Sequence, residues 1–100
     1  MELRHIRYFK AVAEEKNFTK AAEKLAIAQP PLSRQIQDLE AELGTSLFIR
    51  SPHKVTLTEE GELFLQYASQ ILDLVNRSEE EVKEMKEGLQ GTLYIASVEG

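Results

Sequence analysis

The chain has 100 residues, 42% of them hydrophobic, a formal net charge of −5 and no cysteine. That length holds one small domain with at most an appendage, and the missing cysteines exclude a disulfide framework or a thiolate metal site. No apolar run approaches membrane-span length and Met1-Glu2-Leu3-Arg4-His5 lacks a signal-peptide pattern, so the chain reads as a cytoplasmic protein with no membrane partner.

Leu3, Ile6, Phe9, Val12 and Ala13 recur at helical spacing and predict a first helix from about Leu3 to Lys16. Asn17-Phe18 interrupts it. Thr19 suits the N-cap of a short second helix carrying Ala21, Ala22 and Leu25. The paired alanines let another helix cross closely. A tight turn through Ala26 follows, and a third helix opens at Pro30-Pro31, where the missing N–H groups would have had no intrahelical acceptor anyway. Leu32, Ile36, Leu39 and Leu43 give it a buried face, and Gly44 is placed to end it in a left-handed conformation. Helix, turn, helix is the arrangement that puts a second helix into the DNA major groove.

Leu47-Phe48-Ile49-Arg50 and Val55-Thr56-Leu57 flank the polar tip Ser51-Pro52-His53-Lys54 and predict a β-hairpin wing. Thr58 then caps a long helix from Glu59 to about Glu87, with Glu59, Glu60 and Glu62 favoured by the dipole of its first turn and Gly61 weakening it slightly. Phe64, Ala68, Ile71, Val75, Ser78, Val82, Met85 and Leu89 follow alternating steps of four and three, which is a heptad seam. A helix of about 45 Å, at 1.5 Å per residue, outreaches the small domain and calls for a second copy of itself. Gly88 and Gly91 end it in this reading, and 92–98 reads as a strand, the entry to a further domain. The predicted organisation is a winged helix-turn-helix over 1–58, a dimerising linker helix over 59–88, and the start of a C-terminal domain over 89–100.

Charge follows that division. Residues 1–58 hold nine Lys/Arg against seven Asp/Glu, and residues 59–100 hold three against ten, so the acidic excess lies away from the reading head. On the third helix the face opposite the apolar stripe presents Gln29, Pro30, Pro31, Ser33, Arg34 and Gln37. Arginine pairs with guanine, glutamine with adenine, serine with either base edges or phosphate, and proline offers apolar surface to a thymine methyl. Arg50 and Lys54 beside the hairpin tip, with Thr19 and Lys20 at the second helix, are candidates for phosphate or minor-groove contact. Arg4, Arg7, Lys10 and Lys24 are further cations of the head. His5 and His53 lack partners at metal-ligand spacing, and no nucleophile motif or phosphate loop appears, so the chain reads as neither a metalloprotein nor an enzyme. The competing reading is a winged-helix protein-interaction module dimerised by its long helix.

These residues together resemble the N-terminal region of LysR-type transcriptional regulators across essentially the whole chain. The matching segments are 3–9, Phe18 to Leu25, Gln29 to Ile36, Leu39-Glu40, Leu43-Gly44, Leu47-Phe48 with Arg50, and Leu57 to Gly61. The resemblance implies a winged helix-turn-helix and a linker helix that pairs subunits. It also implies a C-terminal domain of two α/β lobes that binds a small-molecule effector, so the fragment itself holds no cofactor. It implies a dimer or tetramer on interrupted inverted repeats in double-stranded DNA, with RNA polymerase as a further candidate partner. Its base-reading positions fall on Gln29, Pro30, Ser33 and Arg34, and its wing contact on Arg50. The chain departs from the family pattern at Ala28, where many members have a serine able to cap the third helix, and at Ala26, in the turn where helix-turn-helix proteins often place glycine.

Overall fold

The computed structural model describes the backbone of residues 1–99 and the side chains of residues 1–88. In chain order it contains α1 (Leu3–Glu15), α2 (Phe18–Leu25), α3 (Gln29–Leu43), β1 (Phe48–Ser51), β2 (Lys54–Leu57) and α4 (Glu59–Glu99). This is the predicted winged helix-turn-helix with its long following helix.

Helix α1 is the hub. Ile6, Phe9, Val12 and Ala13 of its predicted stripe are buried, whereas Leu3, in the first turn, stays 41% exposed. The Phe9 ring lies 5.2 Å from Phe48 and 4.9 Å from Phe64, so one side chain joins α1 to both the wing and α4. Lys16 ends the helix in the left-handed region and donates its N–H to the Val12 carbonyl. His5 is buried, and its Nδ1 accepts the Glu2 N–H at 3.2 Å, which gives it a structural role at the start of α1.

The cap of α2 is Asn17 rather than Thr19. Asn17 has extended backbone and its Oδ1 accepts the Lys20 N–H at 2.8 Å, so the helix starts at Phe18 and Thr19 already lies inside the first turn. The amide oxygen of Asn reaches the third N–H as well as a hydroxyl does, and its position two residues earlier decides the start. Ala26 closes α2 at φ 59°, and Ile27 donates back to Ala22. That double bond-back pattern is a Schellman turn built on alanine, where glycine would be unstrained.

Helix α3 begins at Gln29 with Ala28 as N-cap and no side-chain capping bond. The physical reason is in the sequence. An N-cap side chain serves the N–H groups of the second and third helical residues, and here those are Pro30 and Pro31, which have none. A serine at position 28 would find nothing there to cap. Leu32, Ile36 and Leu39 are fully buried, Leu43 is 39% exposed, and Gly44 takes φ 75° as predicted. Thr45 donates to the Glu40 carbonyl and Gly44 to the Ala41 and Glu40 carbonyls, forming a second Schellman turn.

The wing is a two-residue hairpin, Phe48 opposite Leu57 and Ser51 opposite Lys54, with Pro52 and His53 at its tip. Only Phe48 of β1 and Val55 of β2 are buried.

Thr58 caps α4: its Oγ1 accepts the Gly61 N–H at 2.9 Å and donates to the Ser46 carbonyl at 2.8 Å. Gly61 does more than weaken this start. A Cβ there would run into the Leu47 carbonyl oxygen, so the first turn of α4 rests directly on the backbone entering the wing. Two expectations for α4 are corrected. First, its helical backbone continues through Gly88 and Gly91 to Glu99, where a strand was predicted at 92–98. A single strand has no ladder within this chain, whereas a helix satisfies its backbone groups locally. Second, the seam is not one continuous surface for a partner. Ala68 is fully buried, and Phe64 and Ile71 pack with it and Leu72 against the head. Val75 is half-buried, while Ser78, Val82 and Met85 are exposed. Leu63, Tyr67 and Leu74 are 56%, 55% and 60% exposed and extend this free apolar face toward the head. The side chain of Leu89 lies outside the described residues.

Candidate nucleic-acid interface

Once Leu32, Ile36 and Leu39 are fixed in the core, the pitch of α3 turns Pro30, Pro31, Arg34 and Gln37 to solvent on its opposite side. Gln29 and Ser33 are half-buried at the edge of that face. Arg34 has neither an ion pair nor a hydrogen bond among the described residues, so its five N–H donors are uncommitted. The structure therefore brings together on one helix face the six residues that the sequence singled out for base readout.

The second group, proposed for phosphate and minor-groove contact, divides. Thr19 and Lys20 are exposed in the first turn of α2, where backbone N–H groups and the helix dipole favour an anion. Lys54 is exposed on the wing. Arg50 is not free. Its Nη1 donates to Ser33 Oγ at 3.1 Å, its Nη2 stands 3.7 Å from Glu40 Oε1, and its guanidinium carbon lies 4.5 Å over the Phe18 ring. From β1 its side chain reaches back to the helices instead of out to the tip, because a carboxylate and an aromatic face wait there. Elsewhere in the head, Lys10 pairs with Glu14 one turn along α1, and Lys24 of α2 pairs with Glu14 and Glu15 across the α1–α2 surface. These exposed pairs are worth little, but they direct those two lysines to carboxylates.

Glu40 is the residue that reading along the chain did not single out. Its Oε2 accepts the Leu47 N–H at 2.8 Å and the Phe48 N–H at 3.2 Å, which ties α3 to the entrance of the wing. The only sequence signal was its place in the Leu39-Glu40 pair; its partners lie seven to ten residues away, past the end of α3.

Three helices with a hairpin wing, the third helix presenting arginine, glutamine, serine and proline side chains, define a winged helix-turn-helix DNA-binding domain. Residues 3–62 match the family model described as bacterial regulatory helix-turn-helix protein, lysR family. The chain belongs to the LysR family of bacterial transcriptional regulators and carries its DNA-binding domain.

Among its relatives, the HTH-type transcriptional regulator BenM of Acinetobacter baylyi is 61% identical over 77 residues, covering 77% of this chain and 25% of that protein. BudR of Klebsiella aerogenes is 52% identical over 95 residues, covering 95% of this chain and 66% of that protein. Among solved structures, the BenM DNA-binding domain with catB site 1 DNA superposes with a TM-score of 0.86 at 56% identity, covering 88% of this chain and 98% of that one. The CbnR DNA-binding domain in its DNA complex gives 0.82 at 44% identity, covering 86% and 99%. The chain thus spans a quarter to two thirds of the length of these two relatives. The relatives are transcriptional regulators, and nothing observed favours a protein-interaction module over a DNA reader. Among the described residues no helix is long and apolar enough to cross a membrane.

Proposed function

We propose that this chain reads promoter DNA as a homodimer, with α3 in the major groove and Arg34 and Gln29 as its principal base contacts. The observation that carries this reading is the uncommitted Arg34, exposed with Pro30, Pro31 and Gln37 on the solvent face of a helix whose other side is locked in the core. Arg34 suits guanine O6 and N7, Gln29 and Gln37 suit adenine, the two prolines suit thymine methyls, and Ser33 suits a base edge or phosphate. Thr19, Lys20 and Lys54 hold the backbone and set the register of the helix in the groove. The second copy docks along the free apolar face of α4, through Leu63, Tyr67, Leu74, Val82 and Met85, the exposed large apolar side chains of that helix among the described residues. A two-fold dimer matches an inverted repeat with half-sites about one helical turn of DNA apart, or a multiple of it.

In the longer protein we assign residues 59–88 to the linker, 89–100 to the approach to a C-terminal domain, and control to a small-molecule effector bound there. The length of the relatives supports this, and so does the existence of full-length BenM and CbnR structures in which the matched chain is only 27% and 29% of the whole. A promoter-bound regulator acts at the nucleoid in the bacterial cytoplasm, where RNA polymerase is its expected further partner.

The test is selection of binding sites from a random duplex pool at physiological salt. An enriched inverted repeat is the expected result, and Arg34→Ala costs about 1–3 kcal/mol on it while relaxing one position in each half-site. A folded, dimeric chain that enriches nothing overturns the reading.

A further inference from the structure

Arg50 joins three elements through one planar group. It lies on β1, and its partners are Phe18 on α2 and Ser33 and Glu40 on α3. Each partner is itself held. Glu40 is occupied at Oε2 by the Leu47 and Phe48 N–H groups, which leaves Oε1 turned to the guanidinium. Phe18 is fixed edge-to-face on Phe48 at 5.9 Å. Ser33 sits on the turn of α3 directly before Arg34, on the candidate reading face.

The polarity of the Arg50–Ser33 hydrogen bond has a chemical consequence. A guanidinium donates and never accepts. The Ser33 oxygen must therefore accept, which commits one lone pair and turns the hydroxyl proton away from the cation. Among the described residues no acceptor takes that proton, although Ser78 on α4 shows the alternative, donating to its own helix backbone at Val75. A hydroxyl whose oxygen already accepts from a charged donor is polarised into a better donor.

We propose that Arg50 is a positioning residue for DNA readout: it holds Ser33 as a hydrogen-bond donor, so that Ser33 selects an acceptor on the duplex. Guanine O6 and N7, adenine N7 and thymine O4 qualify; the N4 amino group of cytosine, a donor, does not. The proposal rests on Ser33 facing DNA, as in the proposed function. It differs from a phosphate contact by Arg50, because no phosphate is neutralised.

The experiment measures binding of the chain and its Ser33→Ala, Arg50→Gln, Arg50→Lys, Ser33→Ala/Arg50→Gln and Ser33→Ala/Arg50→Lys variants to the duplex selected by the unchanged chain. It is run over a range of salt, with thermal unfolding of each variant as a check on folding. Ser33→Ala and Arg50→Gln each weaken binding about tenfold, the double variant is no weaker than either, and the salt slope stays that of the unchanged chain. Repeated selection with Arg50→Gln admits cytosine at the position where the unchanged chain excludes it. Arg50→Lys keeps a cationic donor but not the fork that serves Ser33 and Glu40 together, so it loses about threefold, and only while Ser33 is present. That pair of measurements carries the test if Arg50→Gln does not fold. A salt slope lowered by about one, with equal losses in the presence and absence of Ser33, means that Arg50 touches phosphate and overturns the proposal. Unchanged affinity and site choice in Ser33→Ala overturns it differently, by removing Ser33 from the reading face.

Discussion

The head and the distal part of α4 both carry apolar residues at helical spacing, yet they bury them to opposite degrees. In the head Phe9, Leu32, Ile36 and Leu39 are fully covered by neighbours from the same chain. Past Leu72, α4 leaves Leu74, Val82 and Met85 60%, 66% and 67% exposed. The changeover falls within one seam, since Phe64, Ala68 and Ile71 pack on the head and Ser78, Val82 and Met85 do not. Periodicity announces that a helix has an apolar face; it does not say whether the cover comes from its own chain or another. Changes in the head should therefore be read in stability, and changes in the distal helix in association.

The largest effect is expected at the hub. Phe9→Ala removes the ring between Phe48 and Phe64 and costs about 3–5 kcal/mol of folding stability, measured by urea unfolding. A loss below 1 kcal/mol would mean that the head repacks without its centre. Next, Leu74→Glu with Val82→Glu should weaken self-association by a hundredfold or more, about 3 kcal/mol, while the unfolding of the head is unchanged. Sedimentation equilibrium reads this directly, and an intact dimer would move the interface elsewhere. Gly61→Ala ranks third, at about 1–3 kcal/mol of stability, because the added methyl meets the Leu47 carbonyl rather than a side chain that can move. Its crystal structure should show the wing displaced from α4. The smallest effect is a gain: Ala26→Gly relieves the φ 59° strain in the turn of the helix-turn-helix and adds about 0.5–1 kcal/mol, read as a raised Tm. A lowered Tm would show that the methyl packs usefully in that turn.

Much of the candidate interface was legible along the chain. Pro30-Pro31 marked the start of the reading helix, the Leu32, Ile36 and Leu39 stripe fixed which side faces the core, and Gln29, Pro30, Pro31, Ser33, Arg34 and Gln37 followed as its complement. Gly44 marked the end of α3 through its φ of 75°. The cap of α2 was misplaced by two residues because Asn17 and Thr19 both suit that position, and only the hydrogen bond to Lys20 separates them. The strand predicted at 92–98 was placed after Gly88 and Gly91 as the entry to a further domain, and strand identity depends on a neighbour.

Three features arise only in the folded head. The turn of Arg50 toward Ser33 joins residues 17 positions apart, and the seat of α4 on the Leu47 carbonyl makes Gly61 a requirement rather than a weakness. The division of the heptad seam between the head and the free face is the third. Helices, caps and hairpins are legible because their hydrogen bonds close within a few residues and their apolar faces repeat at a fixed period. What a side chain meets across elements depends on where the backbone returns in space, and that is set by the packing of the whole core.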